Sequence, residues 1–229
     1  MKIDRRKKYY MVLDVETANT IEPYNDGLVY DLGFVIIDKK GNIYAKRSFC
    51  IKEIFSWRDL MKSAYYVNKL PKYYKSLKNG TIEFISIWEA RKRVKEAIKY
   101  FDISEVYAYN ANFDITTLNN TVRFLSGSAC RYFLPYGIKV CDIWNIACQI
   151  LGTQKTFQKE GVTNEKGNLI TSAERMYAYI TQQHDFEEQH TGLADALIEG
   201  EILTRCLKSH KKINKGINRL CWKIPQQAF

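Results

Sequence analysis

Four carboxylates and one imidazole stand out for the places they occupy in the chain. Asp14 and Glu16 end an apolar run, Met11-Val12-Leu13-Asp14-Val15-Glu16-Thr17. Asp114 closes Asn112-Phe113-Asp114, and Asp195 follows His190 after four intervening residues. In a β-strand successive side chains alternate faces, so Asp14 and Glu16 share one face and Val15 takes the other. Two neighbouring carboxylates on an otherwise apolar strand repel each other and are costly to desolvate, unless a divalent cation sits between them. Taken singly, most of these residues have a plainer reading. The acidic triplet suits a strand running out into a solvated loop, Asn112 or Asp114 suits an ordinary helix cap, and His190 suits a structural or surface role. Asp195, between Ala194 and Ala196 and beside Leu193 and Leu197, is poorly explained by solvation. Taken together, four converging carboxylates call for positive charge. Two hard cations, Mg²⁺ or Mn²⁺, turn them into an oxygen-rich site. A pair of such ions about 3.5–4 Å apart is a known clamp for in-line displacement at phosphorus. His190, with an ordinary pKa of ~6.5, is a natural base for the attacking water.

These residues need an architecture that delivers them to one place. Residues 9–15 read as a buried strand, 28–38 as a second strand around Gly33, and 43–49 as a third. The second and third join through a tight turn at Lys39-Lys40-Gly41-Asn42, which makes an antiparallel meander. Residues 17–24, polar and holding Pro23, read as a loop, and Asn25-Asp26-Gly27 as a turn. Residues 54–74 have helix-like spacing interrupted by Pro71, and Asn79-Gly80 is a break. Residues 85–100 form an amphipathic helix, with Ile87, Trp88, Val94 and Ile98 inward and Arg91, Lys92, Arg93 and Lys95 solvated. A strand at 106–109, a helix at 113–125, a fifth strand at 138–141 and a helix at 143–151 follow. Residues 152–169 read as a loop or flexible insertion. Thr171-Ser172-Ala173-Glu174 has the form of a capping box, opening a helix to about Thr181. Thr191 or Gly192 opens a last helix through Lys208. The expected class is therefore α/β, with a mixed five-stranded sheet, three strands antiparallel and then two parallel, flanked by helices. Ligands of such sheets sit beyond the carboxyl ends of strands, where Asp14 and Glu16 lie.

Composition sets the outer bounds. A chain of 229 residues, 46% hydrophobic and 14% aromatic, can build one sizeable core. We expect one domain over residues 1–208, with a loop insertion at 152–169, and a basic tail at 209–229. The net charge of +10 implies an anionic partner, nucleic acid first. Basic runs at residues 5–8, 91–95 and 208–215 could track a phosphate backbone, or be solvated faces. The six cysteines lack finger-like spacing and suit buried thiols in a reducing compartment. No signal-like segment or long apolar stretch stands out. The expectation is a soluble, cytoplasmic protein that does not engage membranes.

The ordered set Leu13-Asp14-Val15-Glu16-Thr17, Asn112-Phe113-Asp114 and His190 with Asp195 resembles the three exonuclease motifs of the DEDD superfamily. The His-x-x-x-x-Asp form of the third motif is similar to the DEDDh, or DnaQ-like, branch. The resemblance covers roughly residues 9–208 and implies a ribonuclease H-like fold and 3′–5′ exonucleolysis of single-stranded DNA or RNA. It implies that Asp14, Glu16 and Asp195 hold one metal, and that Asp14 also touches a second, on which Asp114 acts through water. It further implies that His190 is the general base. Thr17 could then meet the terminal nucleotide, Phe113 could stack on a base or pack as a core aromatic, and Asn112 could position a phosphate. The sequence departs from the family where Tyr109-Asn110 stands in place of a histidine before the asparagine, in the length of 152–169, and in the tail. Two other readings remain open: a structure-specific endonuclease, or a non-catalytic or polymerase-associated binding module on the same scaffold. A polymerase and a second copy of the chain are both open as partners.

Overall fold

The computed structural model describes residues 3–18, 27–209 and 211–227. Its strands are β1 (Tyr9–Ala18), β2 (Leu28–Asp38), β3 (Ile43–Ile51), β4 (Glu83–Ile85), β5 (Glu105–Ala108) and β6 (Lys139–Asp142). The helices are α1 (Lys52–Phe55), α2 (Arg58–Met61), α3 (Leu70–Lys78), α4 (Ile87–Tyr100), α5 (Ala111–Ser126), α6 (Ile143–Ile150), α7 (Lys155–Glu160), α8 (Ala173–Thr181) and α9 (Gly192–Leu207). The sheet order is β4-β3-β2-β1-β5-β6. The first three strands are antiparallel, while β5 joins β1, β6 joins β5 and β4 joins β3 in parallel. The expected mixed sheet is present, with one strand more than the five expected. The addition is β4, three residues at the edge, too short to carry an alternation of its own. The expected helix at 85–100 had absorbed its last residue, Ile85; Ser86 caps α4 through the backbone N–H of Glu89 at 3.1 Å.

Each face of the sheet has its own core. One packs Met11, Leu13 and Val15 of β1 against Ile87, Ala90 and Val94 of α4 and Leu118 and Val122 of α5. The other packs Tyr10 and Val12 of β1 with Val35 and Ile37 of β2 against α6 and against Ala196, Ile202 and Leu203 of α9. Odd-numbered residues of β1 thus face one layer and even-numbered residues the other, so Asp14 and Glu16 lie on the α9 side. Pairing of β1 with β5 covers only Met11 and Val12. Beyond it β1 runs on beside β2 alone, which leaves an open cleft at its carboxyl end.

Other expectations are corrected. β1 continues through Thr17 and Ala18 rather than looping at Thr17, and its register with β2 shifts between Glu16 and Thr17. The remainder of the loop reading, and Asn25 and Asp26 of the turn, lie outside the described residues. Pro71 does not interrupt a helix but opens α3, where its missing N–H costs nothing. Residues 152–169 contain α7, anchored by buried Phe157 and by Gln158, whose Nε2 donates to the Gly152 carbonyl at 2.7 Å. The cap of α8 is Ser172, not Thr171. The Thr171 hydroxyl instead accepts the indole N–H of Trp144 at 2.8 Å. Among the described residues no helix is long and apolar enough to cross a membrane.

Candidate active site

Three elements carry the acids to one cleft. Asp14 and Glu16 lie on the part of β1 that overhangs β5. Asp114 lies in the first turn of α5 and takes the backbone N–H of Val15, which β5 has left free. Asn110 starts that turn in a left-handed conformation, φ 60°. Buried Asp142 holds it there, accepting the N–H of Asn110 at 3.1 Å and that of Trp144 at 3.0 Å. The Asn110 side chain makes no capping bond; the Asp142 carboxylate takes the N–H of Ala111, the first residue of α5, as well as that of Asn110.

The N-terminus of α9 brings His190 and Asp195. It rests directly on β2: a Cβ added to Gly33 would lie 2.0 Å from the Gly192 carbonyl carbon and from the Leu193 nitrogen. A Cβ added to Gly192 would in turn lie 2.5 Å from the Gly33 nitrogen. Asp31, buried on β2 directly opposite Glu16, fixes the contact. Its Oδ2 accepts the Gly192 N–H at 2.9 Å and the Tyr73 hydroxyl at 2.6 Å. One potential ligand atom from each of Glu16, His190 and Asp195 lies within 4.8 Å of the others. His190 has φ 51° and stacks on Tyr66 with ring centroids 4.2 Å apart and planes 12° apart. Lys69 Nζ lies 4.6 Å from the Tyr66 ring centre and donates to the Gln189 carbonyl at 2.7 Å. Glu188 Oε2 lies 3.7 Å from His190 Nδ1.

The carboxylates raise one another's proton affinity. Burial, then repulsion from Asp195 and Asp31, pushes Glu16 up to about 9. Burial and Glu188 push Asp195 up to about 7. Burial drives Asp14 well above the usual carboxylate range, reinforced by Glu199, Asp114, Asp195 and Glu16. Asp114 is raised in the same direction by burial and Asp142. His190 is lowered by burial and by Lys69, which favours the neutral ring. Asp195 Oδ1 is buried and has no hydrogen-bond partner among the described residues. Such a cluster fits a divalent cation, whose charge reverses the repulsion and whose coordination occupies an orphaned oxygen.

The expected residues Asp14, Glu16, Thr17, Phe113, His190 and Asp195 all line one cavity of about 790 Å³. Asp114 is buried and, like Asn112, does not line it; Asn112 Oδ1 accepts from Arg219 at 3.3 Å. Phe113 is 43% exposed in the cleft, which excludes the core-aromatic reading. Thr17 is buried against Gly27. Sequence reasoning missed four participants. Glu199 is buried one helical turn beyond Asp195 and accepts the Tyr109 N–H at 3.1 Å. Its signal was an acid at i+4 from Asp195 inside an apolar stretch. Asp31 was legible as a lone acid in the continuous apolar run of β2. Glu188 lies two residues before His190. Tyr66 carries no local signal.

Neither a protein-family model nor a curated protein sequence matches the chain. Solved structures do. The full-length 3′-exonuclease superposes with a TM-score of 0.60 at 12% identity, over 96% of this chain and 96% of that one. The nuclease domain of 3′hExo, a DEDDh family member bound to rAMP, gives 0.58 at 12%, over 94% and 99%. E. coli exonuclease I with a dA16 oligonucleotide gives 0.53 at 13%, over 88% of this chain and 40% of that one. The fold is shared with these solved exonuclease structures, and here the acids lie at the carboxyl end of the central strand β1.

Proposed function

We propose that this protein is a divalent-metal-dependent 3′–5′ exonuclease acting on single-stranded DNA or RNA. The observation that carries the reading is the convergence of Asp14, Glu16, His190 and Asp195 on one cleft, with Asp114 buried beside Asp14 and Asp195 Oδ1 buried with no hydrogen-bond partner among the described residues. Solved structures of this fold, at low identity, include a 3′-exonuclease with a histone mRNA stem-loop and E. coli exonuclease I with dA16 and dT13 oligonucleotides.

Asp14, Glu16 and Asp195 would hold one cation, and Asp14 with Asp114 a second, Mg²⁺ or Mn²⁺. When bound, such ions neutralise the phosphate oxygens and make water more acidic. The remaining work falls to the chain. Stacking on Tyr66 holds the imidazole plane of His190, and its lowered proton affinity keeps the ring neutral at pH 7 and free to accept. A water molecule loses its proton to His190 as its oxygen attacks the terminal phosphodiester phosphorus. The bond from phosphorus to the 3′ oxygen of the preceding nucleotide breaks, that oxygen takes a proton from solvent water, and His190 afterwards returns the proton it accepted to solvent. Glu188, whose carboxyl burial and Glu174 push up to about 7, lies 3.7 Å from Nδ1 and, when ionised, would steady the imidazolium that forms. Phe113 and Thr17, which line the cleft, and Asn112 beside Phe113 would meet the terminal nucleotide.

A 5′-labelled single strand incubated with Mg²⁺ or Mn²⁺ tests this. The expected product is a ladder shortening from the 3′ end that a chelator abolishes, with a circular strand left uncut. Cutting of the circle would make the protein an endonuclease, and no cutting of either strand would overturn the enzymatic reading. Parallel DNA and RNA strands identify the polymer.

A further inference from the structure

The C-terminal segment returns to the cleft. Its backbone is pinned along the outer face of β6 and α6: the Asp142 N–H donates to the Lys215 carbonyl at 2.8 Å, and Asn145 Nδ2 donates to the Asn214 and Gly216 carbonyls at 3.2 and 2.8 Å. Further on, the Leu169 N–H donates to the Ile224 carbonyl at 2.8 Å, Asn168 bridges Pro225, and Gln158 holds Gln226 and Gln227. Cys221 is buried. Between these anchors Trp222 lines the same cavity as Asp14, Glu16 and His190, with Trp144 and Phe113 on its other walls. Trp222 is only half-buried, and its indole N–H donates to the Arg219 carbonyl at 3.1 Å. Arg219 reaches Asn112, the residue before Phe113, at 3.3 Å. Lys223 Nζ lies 5.6 Å from the Trp222 ring centre.

We propose that this segment forms a nucleic-acid-binding wall of the cleft, in which Trp222 stacks on a base of the single strand and Arg219 pairs with a neighbouring phosphate. The occupant follows from charge and shape. The acid end of the cleft repels a polyanion, so a strand that threads it needs cations elsewhere on the wall, and Arg219 and Lys223 supply them. A planar indole beside a guanidinium is the sequence-tolerant arrangement for a base and its phosphate. The backbone anchors fix the segment independently of substrate, so the wall is preformed. The proposal rests on the exonuclease reading for its occupant, but its test does not need cleavage.

The test is fluorescence anisotropy with a labelled dodecamer, phosphorothioate-linked to resist cleavage, as oligothymidine and as oligouridine, with Mg²⁺ and the full chain. Trp222→Ala is expected to weaken binding roughly five- to a hundred-fold, the range for loss of one stacked base. Trp222→Phe should retain most of the affinity. Arg219→Ala should lower the slope of log affinity against log salt by about 0.7, one phosphate contact on a single strand. The melting temperature of each variant shows whether the fold has been kept. Folded Trp222→Ala and Arg219→Ala proteins that bind both strands as wild type does would overturn the proposal, as would a wild type that binds neither. Loss of binding in the variants of a wild type that cuts nothing would support the wall and sink the exonuclease reading alone. Normal cleavage with unchanged binding would sink the wall alone.

Discussion

His190 sits in the left-handed region, φ 51°, against one face of Tyr66. Backbone conformations of that kind in non-glycine residues cost energy and persist where the surroundings impose them. Here the imposing contacts are Tyr66, the Lys69 bond to the Gln189 carbonyl, and Gly192 held on Asp31. Replacing His190 with Ala should lower kcat about 10²–10⁴-fold, the usual contribution of a general base, while KM for a single strand changes little. Tyr66→Ala should lower kcat by less and raise the spread of His190 ring orientations, read as a broadened imidazole signal in NMR. Glu199 presents a different case. It is buried beside Asp14 and Asp114 and ties α9 to the end of β5 through the Tyr109 N–H. Glu199→Leu leaves that N–H unsatisfied, so a loss of about 1–3 kcal/mol in stability is expected by chemical denaturation.

At the scale of elements, the decisive contact is between α9 and β2. Two glycines let a helix N-terminus lie on a strand with no side chain between them, and this brings Asp195 into reach of Glu16. Gly33→Ala forces a Cβ into backbone atoms at 2.0 Å, which neither chain can vacate without shifting the helix. Calorimetry should show a loss of about 1–3 kcal/mol or more, and Mn²⁺ affinity should fall with it. Unchanged affinity in a folded Gly33→Ala protein would remove α9 docking from the account. The strands bearing the motifs were legible because β1 and β2 are long apolar runs whose odd and even residues serve two cores. The five candidate residues were legible because each stands where an apolar pattern meets a strand end or helix start. The helix α7, the edge strand β4 and the true cap of α8 were not. Each is short, and each is held by distant partners: Gln158 by Gly152, β4 by β3, and Thr171 by Trp144. Tyr66 was invisible for the same reason, since its stack with His190 joins residues more than a hundred positions apart.

At the scale of the whole molecule, a chain of net charge +10 holds an acidic centre. Positive charge of that size would gather a polyanion, while the acidic cleft would repel one until its charge is offset. That tension has a measurable sign. Without metal, Glu16 and Asp195 keep their protons in the folded state up to about 9 and about 7, above the unfolded values near 4. The folded state then binds more protons than the unfolded state across that window, so metal-free stability should fall as pH rises from about 5 to about 9. Mg²⁺ should reverse the trend, stabilising most at the alkaline end, where ligands are deprotonated most easily. Melting temperatures with and without chelator across that range check both signs. A metal-free protein that grows more stable with rising pH would contradict the electrostatic picture.

The claim at the centre is that the four acids assemble a site for two cations. Calorimetric titration of Mn²⁺ into the protein, in the presence of a phosphorothioate-linked single strand, measures it directly. The account predicts two ions per chain, one in Asp114→Asn, and a collapse of both binding events in Asp14→Ala. No cation bound to the wild type, or unaltered binding in a folded Asp14→Ala protein, would contradict it.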